Sequence, residues 1–303
     1  MRLLSRFEDD EPFRKRFGKI ALYVIGAIAV LVFVWNFIGS ARAADKGGPT
    51  TGVKAIDDVV SSKGWTGLYI GADAGINVLD AIARRSRETV KTADPVEGSD
   101  PPDFTYTFNP ADSILNADGL GGKDWTYGVR GGFDFQPSGS PFVIGILGGY
   151  GWGSVGGSFD YAIADFAGID NVKGASFSIE PTWHVGGRVG LVLMSKTLVY
   201  VGGAWAQAEA SGAVTVSGSL TAPTKLASTQ TVDGYMILAG LETIIAPQWT
   251  LGAEYSYARY DTVNFVGDVM PAPGTTDGAR HNLSVEPDVH AFKVRLNWRP
   301  FSQ

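Results

Sequence analysis

The chain of 303 residues contains no cysteine. That excludes a disulfide framework, thiol catalysis and cysteine-ligated metal. It has only three histidines, His184, His281 and His290. Charged residues make up 18%, against about 25% in an ordinary soluble protein. Beyond residue 40 there is no long apolar run, so a bundle of membrane-crossing helices, each needing about 20 apolar residues, is excluded. Cations are also short, 25 against 31 acids for a net charge of −6. An acidic chain is a poor nucleic-acid binder, and none is expected as a partner.

What the chain does have is 40 glycines and 12% aromatics, at a mean hydropathy of only +0.05. A transmembrane β-barrel combines these properties, because its hydrophobicity is hidden in alternation. The clearest stretch is the C-terminal strand from His290 to Phe301, where Phe292, Val294, Leu296 and Trp298 alternate with Lys293, Arg295, Asn297 and Arg299. Successive side chains of a strand point to opposite faces. One face is therefore apolar and the other cationic.

The N-terminus reads as an export segment. Arg14, Lys15, Arg16 and Lys19 precede an apolar run over 20–38, and Ala41-Arg42-Ala43 offers a small-residue cleavage pattern. The run exceeds the roughly 7–15 residues usual for a signal peptide and approaches the ~20 that span a bilayer. Residues 1–43 are expected to be a signal peptide or an N-terminal membrane anchor, 44–64 a periplasmic lead-in and 65–303 the barrel. The leader carries seven basic and four acidic side chains. Its surplus of three takes the remainder of the chain to about −9.

The same two-residue alternation predicts eight strands, over 66–78, 125–135, 142–152, 177–193, 198–210, 231–245, 249–261 and 290–301. The register of 198–210 is open, because both its faces are small or apolar. Connections alternate between long (79–124, 154–175, 212–230, 262–288) and short (137–140, 195–196, 246–248). The expected fold is all-β: an eight-stranded antiparallel up-and-down transmembrane β-barrel with short periplasmic turns and long extracellular loops, in a bacterial outer membrane. A soluble calyx is the competing architecture. Aromatics at strand ends weigh against it: Trp65, Phe142, Trp249 and Trp298 at the periplasmic edge, Trp125, Trp152, Trp183 and Tyr257 at the outer edge. Two such girdles match the bilayer interfaces.

Several phrases resemble a known family. Trp65 to Gly75 (WTGLYIGADAG), Gly186 to Leu193 (GGRVGLVL) with Leu198 to Ala206 (LVYVGGAWA), and Gly240 to Asp261 are similar to strands of the alphaproteobacterial Omp25/Omp31-like outer-membrane proteins, of the porin-family or opacity type. The resemblance runs from Trp65 to Phe301 and implies an outer-membrane barrel with surface loops of varied sequence. Members are variously described as envelope-structural, antigenic, adhesive or haem-binding. Family chains tend to end on an aromatic residue, whereas here Phe301 is followed by Ser302 and Gln303.

The candidate functional residues lie on the inferred lumen face: Asp73, Arg130, Asp134, Glu180, Arg188, Glu242, Glu254, Lys293, Arg295 and Arg299. They read either as a polar conduit or as an ion-pair network. The network is favoured, because eight strands leave an interior only wide enough for side chains to fill. Closure would make Asp73 and Glu254 the partners of Lys293 and Arg295. No catalytic residue, cofactor or metal site is expected. His281 lies near Ser284 and Glu286, and His184 shares a face with Glu180 and Arg188, but neither set has the fixed geometry a nucleophile needs. The first long loop pairs Arg84, Arg85, Arg87 and Lys91 with Asp94, Glu97, Asp100 and Asp103. A solvated loop is the plainer reading of it, and binding of lipopolysaccharide phosphates or a host ligand the sharper one. The expected role is non-enzymatic, in envelope integrity and surface interaction. A small passive pore comes second and a lipid-modifying enzyme third. Expected partners are outer-membrane lipid and lipopolysaccharide, the barrel-assembly machinery and a surface ligand held by the loops.

Overall fold

The computed structural model describes residues 64–300, less 111, 160–171, 195, 217–223, 270–273 and 277. The expected leader, the lead-in up to residue 63 and the last three residues lie outside the described set. The described strands are β1 (Gly67–Pro95), β2 (Phe104–Phe108), β3 (Asp112–Leu120), β4 (Lys123–Phe135), β5 (Phe142–Trp152), β6 (Val155–Phe159), β7 (Val172–Leu193), β8 (Thr197–Val216), β9 (Thr224–Ala246), β10 (Trp249–Tyr260), β11 (Val263–Val269) and β12 (Ala279–Trp298). Eight of them form an antiparallel ring in the order β1-β4-β5-β7-β8-β9-β10-β12. The ring closes where β12 returns to β1, from Ile70↔Trp298 up to Thr89↔Ala279.

In the lower part of the ring the alternation points apolar side chains outward. Phe292, Val294, Leu296 and Trp298 are exposed on β12, while Arg295, Asn297 and Arg299 are buried inside. Eight residue steps separate Trp298 from His290. At ~3.4 Å per residue and a tilt of ~40° they rise about 20 Å, close to the ~25 Å apolar band of such barrels. The register of β8 is fixed by pairing: Val199, Val201 and Trp205 face out, Tyr200, Ala206, Ala208 and Ala210 face in.

Above that band the alternation continues with its sense reversed. On β1, Leu79, Ala81 and Ala83 are buried inside, and Arg84 stands outside. On β12, Leu283, Val285 and Val289 turn inward. Neighbours also change at this level: β3 replaces β4 beside β1, β6 replaces β5 beside β7, and β11 replaces β10 beside β12. Among the described residues each of these pairs on one side only. The cylinder thus parts into two sheets, β3-β1-β12-β11 and β6-β7-β8-β9, which enclose an apolar core. Leu79, Ala81, Ala83, Val263, Phe265 and Val285 come from one sheet, and Val155, Phe177, Ile179, Ala208 and Val232 from the other. Phe177 and Phe265 meet edge-on at 6.1 Å. Gly212 is needed there, since a Cβ would lie 2.6 Å from the Phe265 ring.

This upper storey corrects the expected loops. Of 79–124, residues 79–95 continue β1, and β2 and β3 follow. β8 and β9 extend to Val216 and from Thr224, and 262–288 holds β11 and the first half of β12. The span 154–175 holds β6 and the start of β7. The cause is physical: outside the bilayer, water reverses which face of a strand must be apolar.

Candidate functional site

Inside the lower ring the lumen charges meet in two tiers. In the lower tier, Arg188 of β7 donates to Asp134 of β4 at 2.6 and 3.0 Å and to Glu242 of β9 at 3.1 Å. Arg299, just past β12, pairs with Asp134 and lies 3.4 Å from Glu242. The Thr250 hydroxyl donates to Glu242 at 2.5 Å. In the upper tier, Glu254 of β10 accepts two bonds from Arg130 of β4, both 2.7 Å. It accepts two more from Arg295 at 2.8 and 3.1 Å, and one from the Tyr200 hydroxyl at 2.9 Å. Asp73 holds the Lys293 ammonium at 3.0 Å, with Arg295 Nε at 3.8 Å. Bidentate guanidinium–carboxylate pairs fix geometry as well as charge. Many of these bonds join strands that are not neighbours in the ring, so they run as chords across the lumen.

Aromatic rings link the tiers. The Arg188 guanidinium lies 4.7 Å from the ring centres of both Tyr69 and Tyr200. Arg299 lies 4.7 Å from the Trp65 ring and 5.0 Å from Tyr69, and donates to the Trp65 carbonyl at 2.9 Å. Weakly hydrated guanidinium groups suit such faces.

Two expectations are corrected here. Glu180 is not in the lumen. A register shift between Pro181 and His184 on β7 inserts an extra residue, so Phe177 and Ile179 turn inward and Glu180 faces out, opposite Glu209 of β8. A bulge of this kind switches the face of every residue beyond it. The lumen therefore holds four carboxylates against five cations. Trp65 is not part of the periplasmic girdle: it is 1% exposed and sits inside, under Arg299. Its parity with Tyr69 and Asp73 is the sequence signal for this. Tyr69, Thr250 and Asn297 share the faces of charged lumen residues and could be found the same way. Tyr200 could not, because both faces of its strand are apolar or small.

The remaining girdle residues Trp125, Trp152, Trp183, Trp249 and Trp298 are exposed on the outer wall. Tyr257 faces out as well but is covered, its ring 5.2 Å from that of His290. Trp205 and Tyr235 extend the outer girdle. The basic cluster of the first loop is dispersed. Arg84 pairs with Glu286 on the outer face, and Lys91 stands exposed further along β1. The side chain of Arg85 is outside the described set. The histidines are equally separate. His184 faces the lumen against Gly149, and His290 faces outward with Nδ1 2.8 Å from the Tyr255 hydroxyl. The side chain of His281 is outside the described set.

A closed antiparallel ring with an apolar outer band, aromatic girdles and a polar lumen defines a transmembrane β-barrel. The sequence model of the outer membrane protein beta-barrel domain matches residues 59–299. The chain belongs to that family, and its location is the outer membrane. No curated protein matches it in sequence. Among solved structures it is similar to OprG from Pseudomonas aeruginosa, at 11% identity over 79% of this chain and 100% of that one, with a TM-score of 0.39. It is also similar to the outer membrane protease OmpT from Escherichia coli (10%, 76% and 96%, TM-score 0.36). A third is Ail, the attachment invasion locus protein of Yersinia pestis (10%, 73% and 98%, TM-score 0.25).

Proposed function

We propose that the protein is a non-enzymatic, sealed barrel that supports envelope integrity and presents a folded extracellular storey to surface ligands. One observation carries this reading: the lumen is tied across by buried ion pairs below and filled by an apolar core above. A conduit would need a continuous wet path. Eight strands leave little room for one beside Arg130, Arg188, Arg295 and Arg299. The resemblance to the Omp25/Omp31-like proteins supports the same role. In this reading lipid and lipopolysaccharide pack against the girdles, and the barrel-assembly machinery inserts the chain. Planar-bilayer recording of purified, refolded protein tests the seal. The expected result is no reproducible single-channel step, and steady unitary conductance would overturn it.

A further inference from the structure

We propose that the arm formed by the end of β1 and by β2 is a strand-addition site for an extended, cationic polypeptide. This rests on the surface-interaction reading above and gives it a partner chemistry.

β2 is the terminal strand of the sheet, paired among the described residues only with β1. Val96 N–H donates to the Asp103 carbonyl at 2.9 Å. Bonded pairs recur every second residue in an antiparallel ladder. Asp94 with Thr105 and Thr92 with Thr107 therefore carry the ladder, and the main-chain groups of Phe104 and Tyr106 turn to the free edge. The Asp103 carboxylate already accepts Phe104 N–H at 2.8 Å. Among the described residues that leaves Tyr106 N–H and the carbonyls of Phe104 and Tyr106 as an offered edge. Exposed edges are normally guarded by charge, proline or a bulge. The β2 sequence Phe104-Thr105-Tyr106-Thr107-Phe108 has no charge and no proline.

Main-chain groups at an edge accept any extended chain, with side chains setting preference. Here charge sets it. Residues 92–122 contain six acids and no cation. Asp94, Glu97, Asp100 and Asp103 are exposed around the arm. The nearby basic groups stand at the base of the arm: Lys91 is exposed where β1 enters it, and Arg280 is laid over the Phe108 ring, 4.4 Å from its centre. An acidic edge repels a second copy of itself and attracts a strand carrying lysine or arginine.

The test uses full-length protein refolded in detergent micelles and a labelled octapeptide of alternating lysine and threonine. The comparison peptide carries the same charge but has proline in place of two threonines. Fluorescence anisotropy is expected to show saturable one-to-one binding of the first and at least about tenfold weaker binding of the second, a difference of about 1.4 kcal/mol. Tyr106→Pro, which removes a free donor and no ladder bond, abolishes the preference. The combined D94N, E97Q, D100N and D103N variant weakens binding and flattens its salt dependence. Heat-shifted gel migration checks that both variants fold. Equal binding of the two peptides, or an undiminished preference in Tyr106→Pro, overturns the proposal. So does a dimer of the protein that Tyr106→Pro dissolves, since the edge would then belong to a second copy. Conductance of the same preparation bears on the sealed lumen alone, so the two readings fail separately.

Discussion

Glu254 is the busiest acceptor in the lumen, with two guanidinium groups and a phenol on one carboxylate. Removing it takes away the carboxylate that Arg130 binds and leaves Arg295 with only one, Asp73, at 3.8 Å. Breaking a buried pair from one side costs about 3–5 kcal/mol, so Glu254→Ala is expected to lower unfolding stability by that amount. Lys293→Met should cost clearly less. It pairs with one carboxylate, Asp73, which keeps Arg295 at 3.8 Å, and its side chain is 14% exposed, against 2% for Arg295. Urea titration of the refolded barrel measures both, and equal losses would contradict this ranking. Trp65 permits a second check at this scale. Brominated lipids quench tryptophans that touch acyl chains, so Trp125→Phe should remove part of the quenchable fluorescence and Trp65→Phe none. Trp125 is 71% exposed on the outer wall, whereas Trp65 is enclosed.

Among the elements, β7 makes the sharpest test. Its bulge places Ile179 in the upper apolar core and Glu180 outside. Ile179→Asp is expected to destabilise the fold by at least about 2 kcal/mol, because it buries a carboxylate without a partner. Glu180→Leu should leave stability nearly unchanged and relieve the like charge facing it on Glu209. An unbroken strand would give the opposite ranking, so thermal melts of the two variants decide the register. The same strand shows how far the sequence is legible. Unbroken alternation reads correctly along Trp183 to Leu191 and fails at Ile179, since a single extra residue leaves no mark in a pattern of period two. Eight ring strands and three tight turns are legible because each membrane-facing side chain must be apolar. The upper storey is not: Asp80, Arg84 and Glu286 look like loop chemistry until the inward Leu79, Ala81 and Val285 are seen to alternate with them.

The described barrel unit is a closed ring below and two facing sheets above, with β1, β7, β8, β9 and β12 running through both. Trypsin added to protein in vesicles is therefore expected to spare Arg84 and Arg259, which lie in paired strands above the girdle. Mass spectrometry of the digest would find early cuts there if this region were loop. The reversal of sidedness between the storeys also acts as a waterline. Sinking the barrel by about two residues would carry Asp233 and Arg259 into hydrocarbon, and raising it would expose Phe292, Tyr127 and Trp152 to water. Either shift is opposed around the whole circumference, so the protein has one floating depth and a narrow tolerance for bilayer thickness. In thicker membranes the lipid, not the protein, would have to adjust.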